Sequence, residues 1–161
     1  MTTTPEFPLD GGCDCRQARQ WAEESFRNGL YCAESVVLAL ARAQGVDSDL
    51  LPRAATAFCS GMARTCGPCG ALTGALMGVS LAFGRNHAAQ SVQPAYDAAQ
   101  RLITHFEAEF GARDCQALLG CDIGTPGGQA VFRDQRLGER CLRYTGRATE
   151  LAVTILAETH E

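Results

Sequence analysis

Between Cys66 and Phe83 the chain reads Cys-Gly-Pro-Cys-Gly-Ala-Leu-Thr-Gly-Ala-Leu-Met-Gly-Val-Ser-Leu-Ala-Phe. Glycines stand at positions 70, 74 and 78, and a spacing of four places them on one face of a helix. A helix face without side chains is useful where another backbone, a neighbouring helix or a cofactor comes close. Gly70 and Gly74 are therefore the candidate cofactor-facing positions. No residue from Gly67 to Phe83 is charged, so this helix is apolar all round and belongs at the centre of its fold.

Pro68 suits the first position of such a helix, where its missing N–H costs nothing. Cys66 then lies just outside the helix and Cys69 in its first turn. Free backbone N–H groups and the positive end of the helix dipole favour a thiolate there. On this reading Cys66 is the exposed, attacking thiol and Cys69 the inner, resolving one. The same four residues read as a thioredoxin Cys-Gly-Pro-Cys, but that motif needs a preceding strand, and a helical stretch precedes it here.

Helical periodicity recurs on both sides. Residues 16–28 carry an apolar stripe of Ala18, Trp21, Ala22 and Phe26 and close at Asn28-Gly29. Residues 31–44 form a second helix with Cys32 in its first turn, in phase with Val36, Ala39 and Ala43. Asp47-Ser48-Asp49 supply N-cap residues for a short helix from Leu50 to Cys59, interrupted near Ser60-Gly61. Residues 88–110 make a long amphipathic helix with Tyr96, Ala99, Ile103, Phe106 and Phe110 inward; Pro94 kinks it or marks its true start. Arg113 to Leu119 is a short helix carrying Cys115. Residues 120–133, with Gly124, Pro126, Gly127 and Gly128, read as a flexible loop or lid. A last helix from about Asp134 to Ala157 aligns Leu137, Cys141, Tyr144, Ala148, Leu151 and Ile155. No stretch reads as a strand. The expectation is an all-α, single-domain bundle of about five to seven helices around the Gly-rich central one. Residues 1–15 form a flexible lead and 16–161 the domain.

A chain of 161 residues carrying a net charge of −4 and no Lys/Arg run does not suit nucleic acid as a partner. The longest uncharged apolar run is too short to span a bilayer, and no basic-then-apolar leader opens the sequence. The reading is cytoplasmic. Nine cysteines, an odd number, then point to catalytic, sensing or metal-binding thiols rather than a disulfide framework. Cys13 and Cys15 form a C-x-C pair on the lead. Cys59 falls at a helix end and reads as a packing residue with reach toward Cys66. Cys121 stands at the loop entrance as a spare or resolving thiol. Cys32, Cys69, Cys115 and Cys141 each lie on the apolar stripe of a different helix, so folding can bring four thiols to one place. Such a meeting serves dithiol–disulfide cycling, an iron–sulfur cluster, or a zinc or copper(I) ion held by soft sulfur ligands.

Four motifs then carry a resemblance: Tyr31-Cys32-Ala33-Glu34-Ser35-Val36, Cys69-Gly70-Ala71-Leu72-Thr73-Gly74, Phe110-Gly111-Ala112-Arg113-Asp114-Cys115, and Cys141. Over about residues 18–155 the chain resembles the C_GCAxxG_C_C family of redox-active proteins, whose four signature cysteines match Cys32, Cys69, Cys115 and Cys141. The resemblance implies redox function, by thiol–disulfide exchange or by electron transfer through a cysteine-ligated iron–sulfur cluster. Members are often associated with transporter genes, and a related domain occurs in split-Soret cytochrome c beside an iron–sulfur cluster. A redox partner or transporter-associated protein is thereby implied, and a thiolate-rich zinc or copper(I) protein serving transport is the alternative. The chain has no C-x-x-C-H, so covalent haem is not expected. Cys66 is not among the four signature positions. The glycine face packs either within the monomer or across a homodimer.

Overall fold

A computed structural model describes residues 14–158. Eight helices follow one another, and the described residues contain no strand, only one isolated bridge. They are α1 (Cys15–Arg27), α2 (Cys32–Ala43), α3 (Leu50–Ala55), α4 (Gly70–Phe83), α5 (Gln93–Phe110), α6 (Cys115–Leu119), α7 (Pro126–Asp134) and α8 (Gly138–Glu158). The all-α expectation is met, with more helices than the five to seven foreseen. Cys13 of the C-x-C pair lies outside the described residues.

The glycine-faced helix α4 is central, packed against α2, α5 and α8. A β-carbon built on Gly74 would stand 2.6 Å from the Ala33 carbonyl oxygen, and one on Gly78 would stand 2.2 Å from a Leu40 methyl. The face is therefore filled by α2 of the same chain. At its far end the Gln44 amide donates to the Gly78 carbonyl at 2.9 Å, holding α2 and α4 in register. Arg147 on α8 donates two 2.8 Å hydrogen bonds to the Glu109 carboxylate on α5, tying the outer helices together.

Three expectations change. The buried stripe of α5 is Ala98, Leu102 and Phe106, while Tyr96 is 57% exposed. Phe106 is buried as expected, Ile103 and Phe110 are half-buried against the core, and Pro94 marks the start of α5, residues 88–92 being non-helical. Residues 126–134, expected within a flexible loop, form α7. Thr125 Oγ1 accepts from the Gly128 N–H at 3.0 Å, and Pro126 occupies the first turn, where it is tolerated.

The third change is at residues 60–64. Ser60, Gly61, Met62, Ala63 and Arg64 have φ of 57°, 67°, 58°, 57° and 66°, a left-handed turn in which only one residue is glycine. Each non-glycine residue there costs on the order of 1–2 kcal/mol. The turn is closed by the Thr65 and Gly67 N–H groups, which both donate to the Gly61 carbonyl at 3.1 and 3.0 Å. It reverses the chain between α3 and α4 and sets Cys59 against the start of α2.

Candidate functional site

Four cysteines arrive at one place from the beginnings of four helices. Cys32 is the first residue of α2, Cys69 is the N-cap of α4, Cys115 is the first residue of α6, and Cys141 lies in the first turn of α8. All four line a single cavity of about 490 Å³. Gly70 also lines it, because nothing larger fits: its β-carbon would meet Cys32 Sγ at 2.2 Å and Cys59 Cα at 3.0 Å. Gly74 lies one turn deeper, against the Ala33 backbone, so its role is helix packing.

A short backbone pairing positions two of the thiols. The Cys69 N–H donates to the Arg113 carbonyl at 2.7 Å and the Cys115 N–H to the Gly67 carbonyl at 2.9 Å, around the bridge between Pro68 and Asp114. Pro68 is therefore outside the helix, and α4 starts two residues later. Gly61 completes this arrangement, since a β-carbon there would stand 2.6 Å from Cys115 Cβ.

The thiols are electrostatically unlike. Cys32 is lowered to about 7, first by a hydrogen bond from the Cys59 thiol, against its own burial, and further by the N–H groups of Ser60, Ala33 and Cys32. Cys59 is driven far up by the same partnership, because one proton serves two adjoining sulfurs. The Cys59 S–H also has the Ala55 carbonyl within 3.7 Å, but an ionised Cys32 is the stronger acceptor. Burial raises Cys69 strongly despite the N–H groups of Ala71 and Leu72, and raises Cys115 and Cys141 to about 12 each.

The attacking role given to Cys66 is not supported by this geometry. Its thiol hydrogen-bonds to Asp122, a carboxylate that holds it up rather than down, and it does not line the cavity. The structure sets Cys59, which periodicity reads as a packing residue, beside Cys32 at the start of α2. The signal for Cys59 was its place at a helix end beside Ser60-Gly61, where the chain turns back. Glu34 is a capping residue: Oε2 accepts from the Tyr31 N–H at 2.8 Å and Oε1 from the Thr56 hydroxyl at 2.6 Å. Tyr144 backs the thiols from α8, its hydroxyl donating to the Leu118 carbonyl at 3.2 Å.

All eight described cysteines are free. Among the described residues no three His, Cys, Asp or Glu side chains converge as a single metal ion requires. The donor set nonetheless suits a polynuclear cluster in kind, with four thiols from four elements around one cavity.

The buried thiols set the alkaline limit of the fold. Above the ordinary value of 9.0 the unfolded chain releases protons that Cys115 and Cys141 keep when folded, so each removes about 1.4 kcal/mol of stability per pH unit. Cys32 acts oppositely: its contribution is complete above 9.0 and is lost as pH falls through about 7. Urea denaturation under reducing conditions should therefore show stability falling from pH 9 toward 12, with a shallower fall in the Cys115→Ala/Cys141→Ala variant. Equal slopes in the two proteins would contradict this assignment.

Among the described residues no helix is long and apolar enough to cross a membrane. The model of the family described as "Putative redox-active protein (C_GCAxxG_C_C)" matches residues 30–155, a span that holds all four cavity thiols. No curated protein and no solved structure matches the chain.

Proposed function

We propose, from the premise that this chain belongs to the C_GCAxxG_C_C family of redox-active proteins, that it carries out thiol–disulfide exchange with Cys32 as nucleophile and Cys59 as resolving thiol. The observation that carries the reading is the juxtaposition of Cys32 and Cys59 over Gly70, whose built β-carbon would meet Cys32 Sγ at 2.2 Å and Cys59 Cα at 3.0 Å, with Cys32 on the wall of the cavity. The Cys32 thiolate attacks one sulfur of a disulfide, the S–S bond breaks, and the departing thiolate takes the bonding pair. Loss of the negative charge on Cys32 then removes what held the Cys59 proton in place. That proton passes to the departed thiolate. The Cys59 thiolate, facing the N–H groups of Ala33 and Glu34, attacks Cys32 Sγ and expels the second thiolate. The protein is oxidised by two electrons to a Cys32–Cys59 disulfide and the substrate is reduced to two thiols.

Reduced protein treated with stoichiometric disulfide should lose two thiols, and peptide mapping should join Cys32 to Cys59. Exclusive joining of other cysteines would overturn the assignment. A cytoplasmic setting, where thiols are kept reduced, suits this cycle.

A second reading rests on the four cavity thiols taken together. Cys32, Cys69, Cys115 and Cys141 would hold an iron–sulfur cluster, which supplies one-electron transfer when bound. Anaerobic reconstitution with iron and sulfide, followed by metal analysis and a visible spectrum, tests it. Stoichiometric iron lost in the Cys69→Ser and Cys141→Ser variants supports the cluster, and colourless protein without bound iron rejects it.

A further inference from the structure

The cavity wall carries charge of one sign. Besides the thiols and Tyr31, its only ionisable side chains are Arg64 and Arg133, and no carboxylate lines it, although the whole chain is acidic at −4. Arg64 comes from the left-handed turn and Arg133 from α7, so two unrelated elements bring a guanidinium to the same opening. Among the described residues neither makes an ion pair, so both guanidinium charges are available to a ligand. The first turns of α2, α4 and α8 add the positive ends of three helix dipoles.

The rest of the wall is apolar and aromatic. Phe26, Tyr31 and Phe132 stand around the opening with Leu119 and Ile123. The volume of about 490 Å³ is that of a site for a small molecule and lies in the ordinary range for ligand pockets. A free guanidinium beside a dry wall matches an acidic group attached to a flat apolar body, and the thiol at the back of the cavity matches a sulfur electrophile.

We propose that the cavity selects low-molecular-weight disulfides bearing an anionic group and an apolar body, with Arg64 and Arg133 drawing in the anion and orienting the S–S bond toward Cys32. This rests on the exchange reading above and names its substrate class. The chemistry is that already balanced: two electrons pass from the Cys32/Cys59 dithiol to the small disulfide, which leaves as two anionic thiols. A reducing thiol, such as dithiothreitol in the assay, restores the protein.

The test compares three reagents on the reduced, full-length protein: dianionic dithiobis(nitrobenzoate), neutral dithiodipyridine and dicationic cystamine. Each rate is divided by that of the same reagent with 2-mercaptoethanol, a thiol with no other charged group, so intrinsic reactivity cancels. A cleft of one sign raises the encounter rate of the opposite charge by about tenfold or more. The normalised rate should therefore be about tenfold higher for the dianion than for the dication, and the gap should shrink at about 1 M salt, where the Debye length is about 3 Å. Arg64→Gln and Arg133→Gln should each narrow the gap, and the double variant should bring the ratio close to one. Because the two arginines stand on separate elements, a folding defect in one variant leaves the other to report.

Equal normalised rates for the three reagents, with the reaction still lost in Cys32→Ser, would overturn the substrate class and leave the exchange reading intact. Failure of all three reagents to react at Cys32 would overturn both.

Discussion

Replacing Cys32 by serine is expected to remove the fast phase of alkylation by iodoacetamide, a phase whose rate rises with pH around a midpoint near 7. With Cys32 lowered to about 7 and the buried thiols raised to about 12, the ionised fractions expected at pH 7 differ by about five decades. The low-pKa thiolate is the weaker nucleophile, with a Brønsted slope of about 0.4–0.5, which returns about two of those five decades. Cys32 should then outpace Cys115 and Cys141 by roughly 10²–10³-fold. Against an ordinary exposed thiol ionising near 8.5 the same arithmetic leaves only a few-fold advantage. The pH midpoint, not the rate alone, therefore identifies Cys32. Cys59→Ala removes the largest cause of the lowered value, so the midpoint should move upward. Cys59→Ser restores an O–H donor but no resolving sulfur. It should keep a low midpoint and trap the mixed disulfide, readable by mass spectrometry as a protein–reagent adduct. An unchanged midpoint in Cys59→Ala would show that the N–H groups of α2 suffice.

The parts of the site visible in the sequence are those that depend on helical periodicity. Cys32, Cys69, Cys115 and Cys141 sit in phase with apolar neighbours, and the helices that carry them converge because each buries that stripe. On α5 periodicity places Phe106 in the core and Ile103 and Phe110 at its edge, whereas Tyr96, in the first turn after Pro94, is exposed. The segment 126–134 contains two adjacent glycines and a proline, a composition shared by loops and by helix starts. Only the Thr125 cap separates the two, and a threonine before a proline is a weak signal.

What was not legible depends on one backbone reversal. Ser60, Met62, Ala63 and Arg64 are ordinary residues in a left-handed turn, a conformation that no local preference favours. Tertiary contacts hold it there, with Gly61 pressed on Cys115 and Gly67. That turn brings the Ser60 N–H to Cys32, sets Cys59 beside it and carries Arg64 to the cavity mouth. Strain of this kind gathers at functional sites, where surrounding structure over-determines it. The surroundings of Cys66 are equally tertiary: Pro68 pairs with Asp114 outside the helix, and the Asp122 carboxylate bears on the Cys66 thiol.

The glycine face supplies the second large effect, because its first two positions meet different things. Gly74→Ala would put a methyl 2.6 Å from the Ala33 carbonyl oxygen and 2.9 Å from its Cα, and backbone cannot rotate away as a side chain can. Helices α2 and α4 would have to separate, an overpacking cost of about 1–3 kcal/mol, offset by about 1 kcal/mol from the better helix propensity of alanine. A still larger residue, in Gly74→Val, should lower the thermal midpoint further and leave little folded protein. Gly70→Ala is different: the nearest atom is Cys32 Sγ at 2.2 Å, the free end of a side chain, with Cys59 Cα behind it at 3.0 Å. The sulfur turns away at modest cost in stability, and its contact with Cys59 is lost. Gly74→Ala should therefore show a lowered urea midpoint with a Cys32 titration still below the ordinary thiol range in the folded fraction. Gly70→Ala should show the reverse, a nearly native urea midpoint and a Cys32 titration moved upward. The pair of measurements separates the glycine that lets the helices meet from the glycine that makes room for the thiol. Parallel changes in both variants would mean that helix spacing and thiol environment are one property, and that the face has no division of labour along its length.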